Sequence, residues 1–116
     1  MRAALVLVFV LAAPPALAAD GQALFTDKCG DCHSTAAPSA TDTAPSLKGV
    51  VGRKVASLAD FQYSAALKAK GGVWTEAALD AFLANPTAYA PGTAMFGGAP
   101  DPADRKAIID YLKSVK

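Results

Sequence analysis

Cys29-Gly30-Asp31-Cys32-His33 is the stretch on which the reading of this chain turns. Its two thiols lie about one helical turn apart, and an imidazole follows at once. Three chemistries use such a pattern. In covalent haem attachment the two thiols add to the two vinyl groups of one porphyrin edge, and the next residue points its imidazole at the iron. A thioredoxin-like redox pair needs a βαβ context, which this chain lacks. A local disulfide or a fragment of a zinc site is the third reading. Two Cys and one His give three zinc ligands, and nothing nearby offers a convincing fourth. The haem reading is carried forward.

On the N-terminal side, residues 1–19 are apolar except for Arg2, Pro14 and Pro15. Arg2 gives a positive start, Ala3 to Ala13 an unbroken apolar run, Pro14-Pro15 a helix break and Ala16-Leu17-Ala18 a small-x-small site. This is the plan of a secretory signal peptide, cleaved after Ala18 or Ala19. The run is short for a membrane anchor, which needs about 20 apolar residues. Residues 20–116 then form one domain.

The full chain of 116 residues has 11 Lys+Arg, 10 Asp+Glu and one His. That balance excludes a strongly basic nucleic-acid binder. There is no Gly-Lys-Ser/Thr phosphate loop and no GxGxxG. With a single histidine, a Ser-His-Asp triad would have to be built on His33. A mature chain of about 97–98 residues buries a small core, and such chains often need a staple. A buried porphyrin supplies one, because it offers a large apolar surface for the chain to fold around and its thioether bonds cannot dissociate.

His33 being the only histidine, bis-His ligation within one chain is impossible. Met1 leaves with the signal peptide or stays far from the core. Met95 is therefore the candidate sixth ligand. It sits in Tyr89-Ala90-Pro91-Gly92-Thr93-Ala94-Met95-Phe96-Gly97-Gly98, a stiff irregular stretch in which Pro91 fixes a backbone angle and Gly92 permits an unusual one. The alternative is that Met95 fills core space, as most methionines do. His/Met ligation would raise the potential and leave only outer-sphere electron transfer through the haem edge.

The rest of the chain reads as short helices and long loops. Asp20 caps a helix from about Gly21 to Cys29. Ser34 to Ala44 and Leu47 to Val55 read as loop. Ser64 caps a short helix through about Lys68, ended by Gly71-Gly72. Thr75-Glu76 starts a clearer helix with Leu79, Phe82 and Leu83 on one face, ended at Asn85-Pro86. Asp101-Pro102 starts the last helix, with Ile108, Tyr111, Leu112 and Val115 at i, i+3, i+4 and i+7. No alternating strand pattern appears.

These features together resemble class I c-type cytochromes of the mitochondrial-like branch, which includes soluble bacterial monohaem proteins. The stretches that carry the resemblance are Cys29–His33, Ala44–Lys54, Phe61-Gln62-Tyr63-Ser64, Lys70–Trp74, Leu83-Ala84-Asn85-Pro86 through Met95, and Tyr111-Leu112-Lys113. It implies an all-α fold, four or five short helices and long loops wrapped around one covalently attached haem c. Cys29 and Cys32 would be the thioether residues, with His33 and Met95 on the iron. Pro45 would offer its carbonyl to the second nitrogen of His33. Arg53, Tyr63 and Trp74 would hold the haem propionates, since a buried carboxylate needs hydrogen bonds or a counter-charge. Thr93 would stand near the Met95 side. Gly21 and Phe25 would pack against Ile108, Tyr111 and Leu112.

The sequence also departs from the family. The aromatic residue often found two positions after the ligating methionine is Gly97, with Phe96 one place earlier. A tyrosine common near that methionine is Phe82, an interior asparagine is Leu67, and the glycine before the first loop proline is Ala44. Where relatives ring the haem edge with lysines, Ala23, Ala40, Asp42, Thr87, Ala88 and Ala94 stand, and only Lys28 survives. The implied function is a soluble, monomeric periplasmic electron carrier, with no enzymatic activity, no small-molecule substrate and no nucleic acid. Its partners would be redox proteins: a membrane or periplasmic reductase or dehydrogenase, and a terminal oxidase or reductase. Two alternatives are a haem protein with a labile Met ligand that binds small ligands or has peroxidase-like activity, and a dedicated electron-accepting subunit of one dehydrogenase.

Overall fold

The computed structural model describes residues 9–10 and 20–116. The expected signal segment falls outside the described residues except for Phe9 and Val10. Among the described residues no helix is long and apolar enough to cross a membrane.

Among the described residues five helices follow in order: α1 Gly21–Lys28, α2 Ala65–Lys70, α3 Glu76–Ala84, α4 Pro86–Tyr89 and α5 Pro102–Ser114. Each starts on a side chain that accepts orphan backbone N–H groups. Asp20 takes the amides of Gln22 and Ala23, Ser64 that of Leu67, Thr75 that of Ala78 and Asp101 those of Ala103 and Asp104. Two expectations shift. The helix expected to stop near Lys68 continues to Lys70 and ends on Gly71. Asn85-Pro86 ends α3 as expected, but Asn85 then caps α4, its carboxamide accepting from the Ala88 amide, with Pro86 in the first turn. One asparagine thus closes one helix and opens the next. The only β-type pairing among the described residues is an isolated antiparallel bridge between Lys54 and Val73.

α5 packs against both α1 and α3, and α4 packs against α3. The α1–α5 crossing is close because Gly21 has no side chain. A Cβ there would lie inside the contact radius of the Ala107 carbonyl and 2.9 Å from Cβ of Tyr111. One turn on, Phe25 meets the Tyr111 ring with centroids 5.5 Å apart. Ile108 is fully buried and Leu112 nearly so, so the apolar stripe of α5 faces inward as its period requires. Trp74, Phe82 and Tyr89 form a second cluster with centroids 5.2 to 6.1 Å apart, and the Lys70 ammonium lies 4.2 Å above the Tyr89 ring. These helices and the loops between them enclose a large apolar hollow.

Candidate haem site

The hollow is a cavity of about 390 Å³, within the usual range for a bound organic group. Cys29, Cys32, His33, Arg53, Tyr63, Trp74, Thr93 and Met95 all line it, as does Pro45. Every residue singled out as a site candidate from the sequence is therefore brought to one place. Apolar lining comes from α1, α3 and α5, through Phe25, Leu79, Phe82, Leu83, Ile108 and Leu112.

The Cys-x-x-Cys-His stretch follows directly on α1. The Cys29 amide donates to the Phe25 carbonyl and the His33 amide to the Cys29 carbonyl, so the helical path nearly continues and both thiols stay at the cavity. The two cysteines are not joined. Burial pushes the Cys29 thiol above its ordinary value, against a smaller opposing pull from Lys28. A reactive redox cysteine needs the opposite shift, so the thioredoxin reading loses its chemistry as well as its fold. The zinc reading fails too: among the described residues no three His, Cys, Asp or Glu side chains come together as a metal site.

The tautomer of His33 follows from its partner. Nδ1 lies 2.8 Å from the Pro45 carbonyl oxygen. A carbonyl only accepts, so Nδ1 carries the proton and Nε2 keeps its lone pair. Burial lowers the His33 pKa from its ordinary value, the Pro45 bond opposing and Arg53 adding to the effect. The neutral ring is the form that binds a metal. The folded chain therefore holds fewer protons on this residue than the unfolded chain, and its contribution to stability is present above the unfolded pKa of about 6.5 and lost as pH falls through the folded value. Denaturation midpoints should accordingly decline from about pH 7.5 to about pH 5. A midpoint constant over that range would contradict the burial of a neutral imidazole.

Met95 is half-buried at the same cavity. Its amide donates to the Thr93 hydroxyl at 3.4 Å, and the Thr93 amide donates to the Ala90 carbonyl. Past it the chain returns onto α3: the Ala99 amide bonds the Leu83 carbonyl at 2.8 Å. Gly98 makes that return possible, since a Cβ there would collide with the same carbonyl. The loop is thus anchored on both sides of the methionine.

Arg53 is half-buried. Its Nη2 donates to the Ser46 carbonyl at 2.8 Å and its Nη1 to the Lys48 carbonyl at 3.3 Å. Burial lowers its pKa, with Tyr63 and Asp60 opposing, but a guanidinium stays charged. Among the described residues no carboxylate lies within ion-pair distance of it. The Tyr63 hydroxyl accepts from the Leu58 amide at 3.3 Å, leaving its own proton to donate. Trp74 is buried, stacked on Tyr89.

The donor set fits a haem: an apolar cavity with two unjoined thiols, a neutral imidazole of fixed tautomer, a thioether and a cation with no carboxylate partner. The fold and site define a small all-helical protein built around a covalently held haem. Residues 18–116 match the cytochrome c family. Cytochrome c of Ulva intestinalis is 40% identical over 102 residues, covering 87% of this chain and 92% of its own. That of Arabidopsis thaliana is 40% identical over 94 residues, covering 80% and 84%. The solved structure of cytochrome cH from Methylobacterium extorquens matches with a TM-score of 0.75 at 41% identity, over 84% of this chain and 97% of that one. The chain belongs to the cytochrome c family, and it is an electron carrier with haem c as its cofactor and redox proteins as its partners.

The sequence missed several polar groups beside the site. The hydroxyls of Thr41 and Ser46 tie the loop after His33 to the segment around Pro45. Asp60 accepts from the Ala40 amide at 2.7 Å, joining two loops. Lys28, the surviving lysine, lies 3.9 Å from Asp104. Serine and threonine in a loop give no sign of which distant carbonyl they will meet, and the only available cue was that Ser46 follows Pro45.

Proposed function

We propose that the chain is exported to the periplasm with loss of residues 1–18 or 1–19. There it would carry single electrons on one haem c, which Cys29 and Cys32 would hold by thioether bonds and His33 and Met95 would hold through the iron. The observation that carries this reading is the meeting of His33 and Met95 at one apolar cavity, with Nδ1 of His33 committed to Pro45 and Nε2 bare. The haem, when bound, supplies a one-electron iron couple and a conjugated edge for outer-sphere transfer.

This chain's residues do the rest. The Pro45 carbonyl keeps the imidazole in its ligating tautomer. Arg53, with two N–H groups committed to carbonyls and three left over, supplies positive charge for the propionates. Tyr63 and Trp74 offer a hydroxyl and an indole N–H beside it. The apolar side chains of α1, α3 and α5 exclude water, and Thr93 orders the turn that presents Met95. With His33 and Met95 both holding the iron, no open position would remain for a substrate, and the role would be carriage rather than catalysis.

Carbon monoxide added to the reduced protein tests this directly. Binding should be slow and incomplete, and rapid tight binding would transfer the assignment to a ligand-binding haem protein. The mass of the protein from its natural host should equal residues 19–116 or 20–116 plus one haem. A mass retaining the first residues would refute the export claim.

The docking face carries little free positive charge. Where the family resemblance implies lysines around the haem edge, this chain has Ala23, Ala40, Asp42, Thr87, Ala88 and Ala94, and Asp104 sits beside the one that remains, Lys28. Electron exchange with the natural partner should therefore slow by less than about threefold from low to physiological salt, where a strongly steered encounter loses far more. A steep fall would show a basic docking surface.

A further inference from the structure

Ser46 is the one buried polar residue among the described residues, 0% exposed. It follows directly on Pro45. Its hydroxyl donates to the Ala37 carbonyl at 2.6 Å and accepts from the Lys48 amide at 3.2 Å. Its own carbonyl accepts from Arg53. Beside it the Leu47 amide bonds the Ser34 carbonyl at 2.9 Å. The chain that leaves His33 is thus sewn back onto the chain that carries the Pro45 carbonyl, and the Ser46 hydroxyl is the buried stitch. Thr41 adds a second stitch closer to the surface: its hydroxyl accepts from the Ala44 amide at 3.0 Å and donates toward the carbonyls of Cys32 and Ala44.

We propose that Ser46 is a positioning residue for His33: its hydroxyl fixes the Pro45 carbonyl on Nδ1 and so tunes the electron donation of the ring. The proposal rests on the reading of His33 as an axial ligand. The physics is short-range. A firmly held N–H···O=C bond increases the basicity of the ring and favours the ferric state. The carbonyl of Pro45 has no side-chain anchor of its own, so its position depends on residues 44 and 46. Without the Ser46 hydroxyl, the Ala37 carbonyl and the Lys48 amide lose their partner. Ala36 and Ala37 are exposed, so that stretch can swing toward water, and the carbonyl on Nδ1 loses its backing.

The test uses the haem-loaded protein and two readouts taken together: the reduction potential, and the exchange rate of the His33 Nδ1 proton in the ferrous state by NMR, the second of which reports the Nδ1 bond itself. Ser46→Ala should shift the ferrous/ferric constant about threefold toward ferrous, about 28 mV at 59 mV per tenfold for one electron. It should speed Nδ1 exchange about tenfold, since protection falls with local opening. Ser46→Thr, which keeps the hydroxyl, should restore both. A Ser46→Ala protein of lower melting temperature with unchanged potential and exchange overturns the proposal, and so does failure of Ser46→Thr to restore them. If Ser46→Ala does not yield loaded protein, Thr41→Val should move both readouts in the same direction, and no movement overturns the proposal equally. The wild type is read first. His33 ring signals without a hyperfine shift in the ferric state would sink the axial-ligand reading itself, and this inference with it, before any substitution is made.

Discussion

Replacing Met95 by alanine should abolish the weak near-infrared sulfur-to-iron absorption of the ferric protein and lower its reduction potential by on the order of 0.2 V. That is a fraction of the roughly 0.8 V that axial ligands command. The direction follows from the ligand. A thioether is a soft, weak donor that stabilises ferrous over ferric iron, and water or an empty position in its place forfeits that preference. The same variant should acquire rapid carbon monoxide binding when reduced. The helices should survive, because the loop around Met95 is held by other atoms: the Thr93 amide on Ala90, the Ala99 amide on Leu83 and the close approach of Gly98. Far-ultraviolet circular dichroism checks that point, and absorption with a redox titration checks the ligation. A wild-type spectrum without the band, or a variant that keeps both band and potential, would show that Met95 only fills space.

Gly21→Val should destabilise the fold strongly. Even one Cβ at this position would collide with the Ala107 carbonyl and press on Tyr111. The obstruction is backbone, so no rotamer relieves it, and α1 must move away from α5. Phe25, one turn along α1, then loses its contact with Tyr111, and the Cys29 segment shifts with the helix that precedes it. Overpacking costs about 1–3 kcal/mol where neighbours can give, and here the upper end, about 3 kcal/mol, is expected. For a domain of this size that lowers the melting temperature by about 12–24 °C. Thermal unfolding of the haem-loaded variant checks it. A melting temperature within a few degrees of wild type would mean that the α1–α5 crossing is not the rigid contact its geometry describes.

Much of the site is legible in the sequence because its signals are local or unique. The spacing within Cys29–His33 carries its own chemistry. Met95 follows by elimination as the candidate sixth ligand, from a composition with one histidine and two methionines. The caps at Asp20, Ser64, Thr75 and Asp101 mark four helix starts, because a capping side chain answers amides two or three residues away. The resemblance placed Arg53, Tyr63, Trp74 and Thr93, which no periodicity singles out, and the cavity gathers all of them.

Other features lay beyond it. α4 was hidden because Asn85 reads as an ending, and its second role depends on the Ala88 amide turning back toward it. Lys28 reads as a free cation until α5 brings Asp104 beside it.

By itself, then, the order of residues determined where α1, α2, α3 and α5 begin, which atoms can bond a haem, and that the apolar stripe of α5 turns inward. Each of these rests on neighbours within one or two turns. Only the tertiary structure decided that Ser46 is sealed behind Pro45 and that Arg53 finds carbonyls and, among the described residues, no carboxylate; the Pro45 carbonyl on Nδ1 of His33 was expected from the family resemblance alone, with no local signal for it. A carbonyl or a hydroxyl is present at almost any position, and which two meet is set by how the loops close over the cavity.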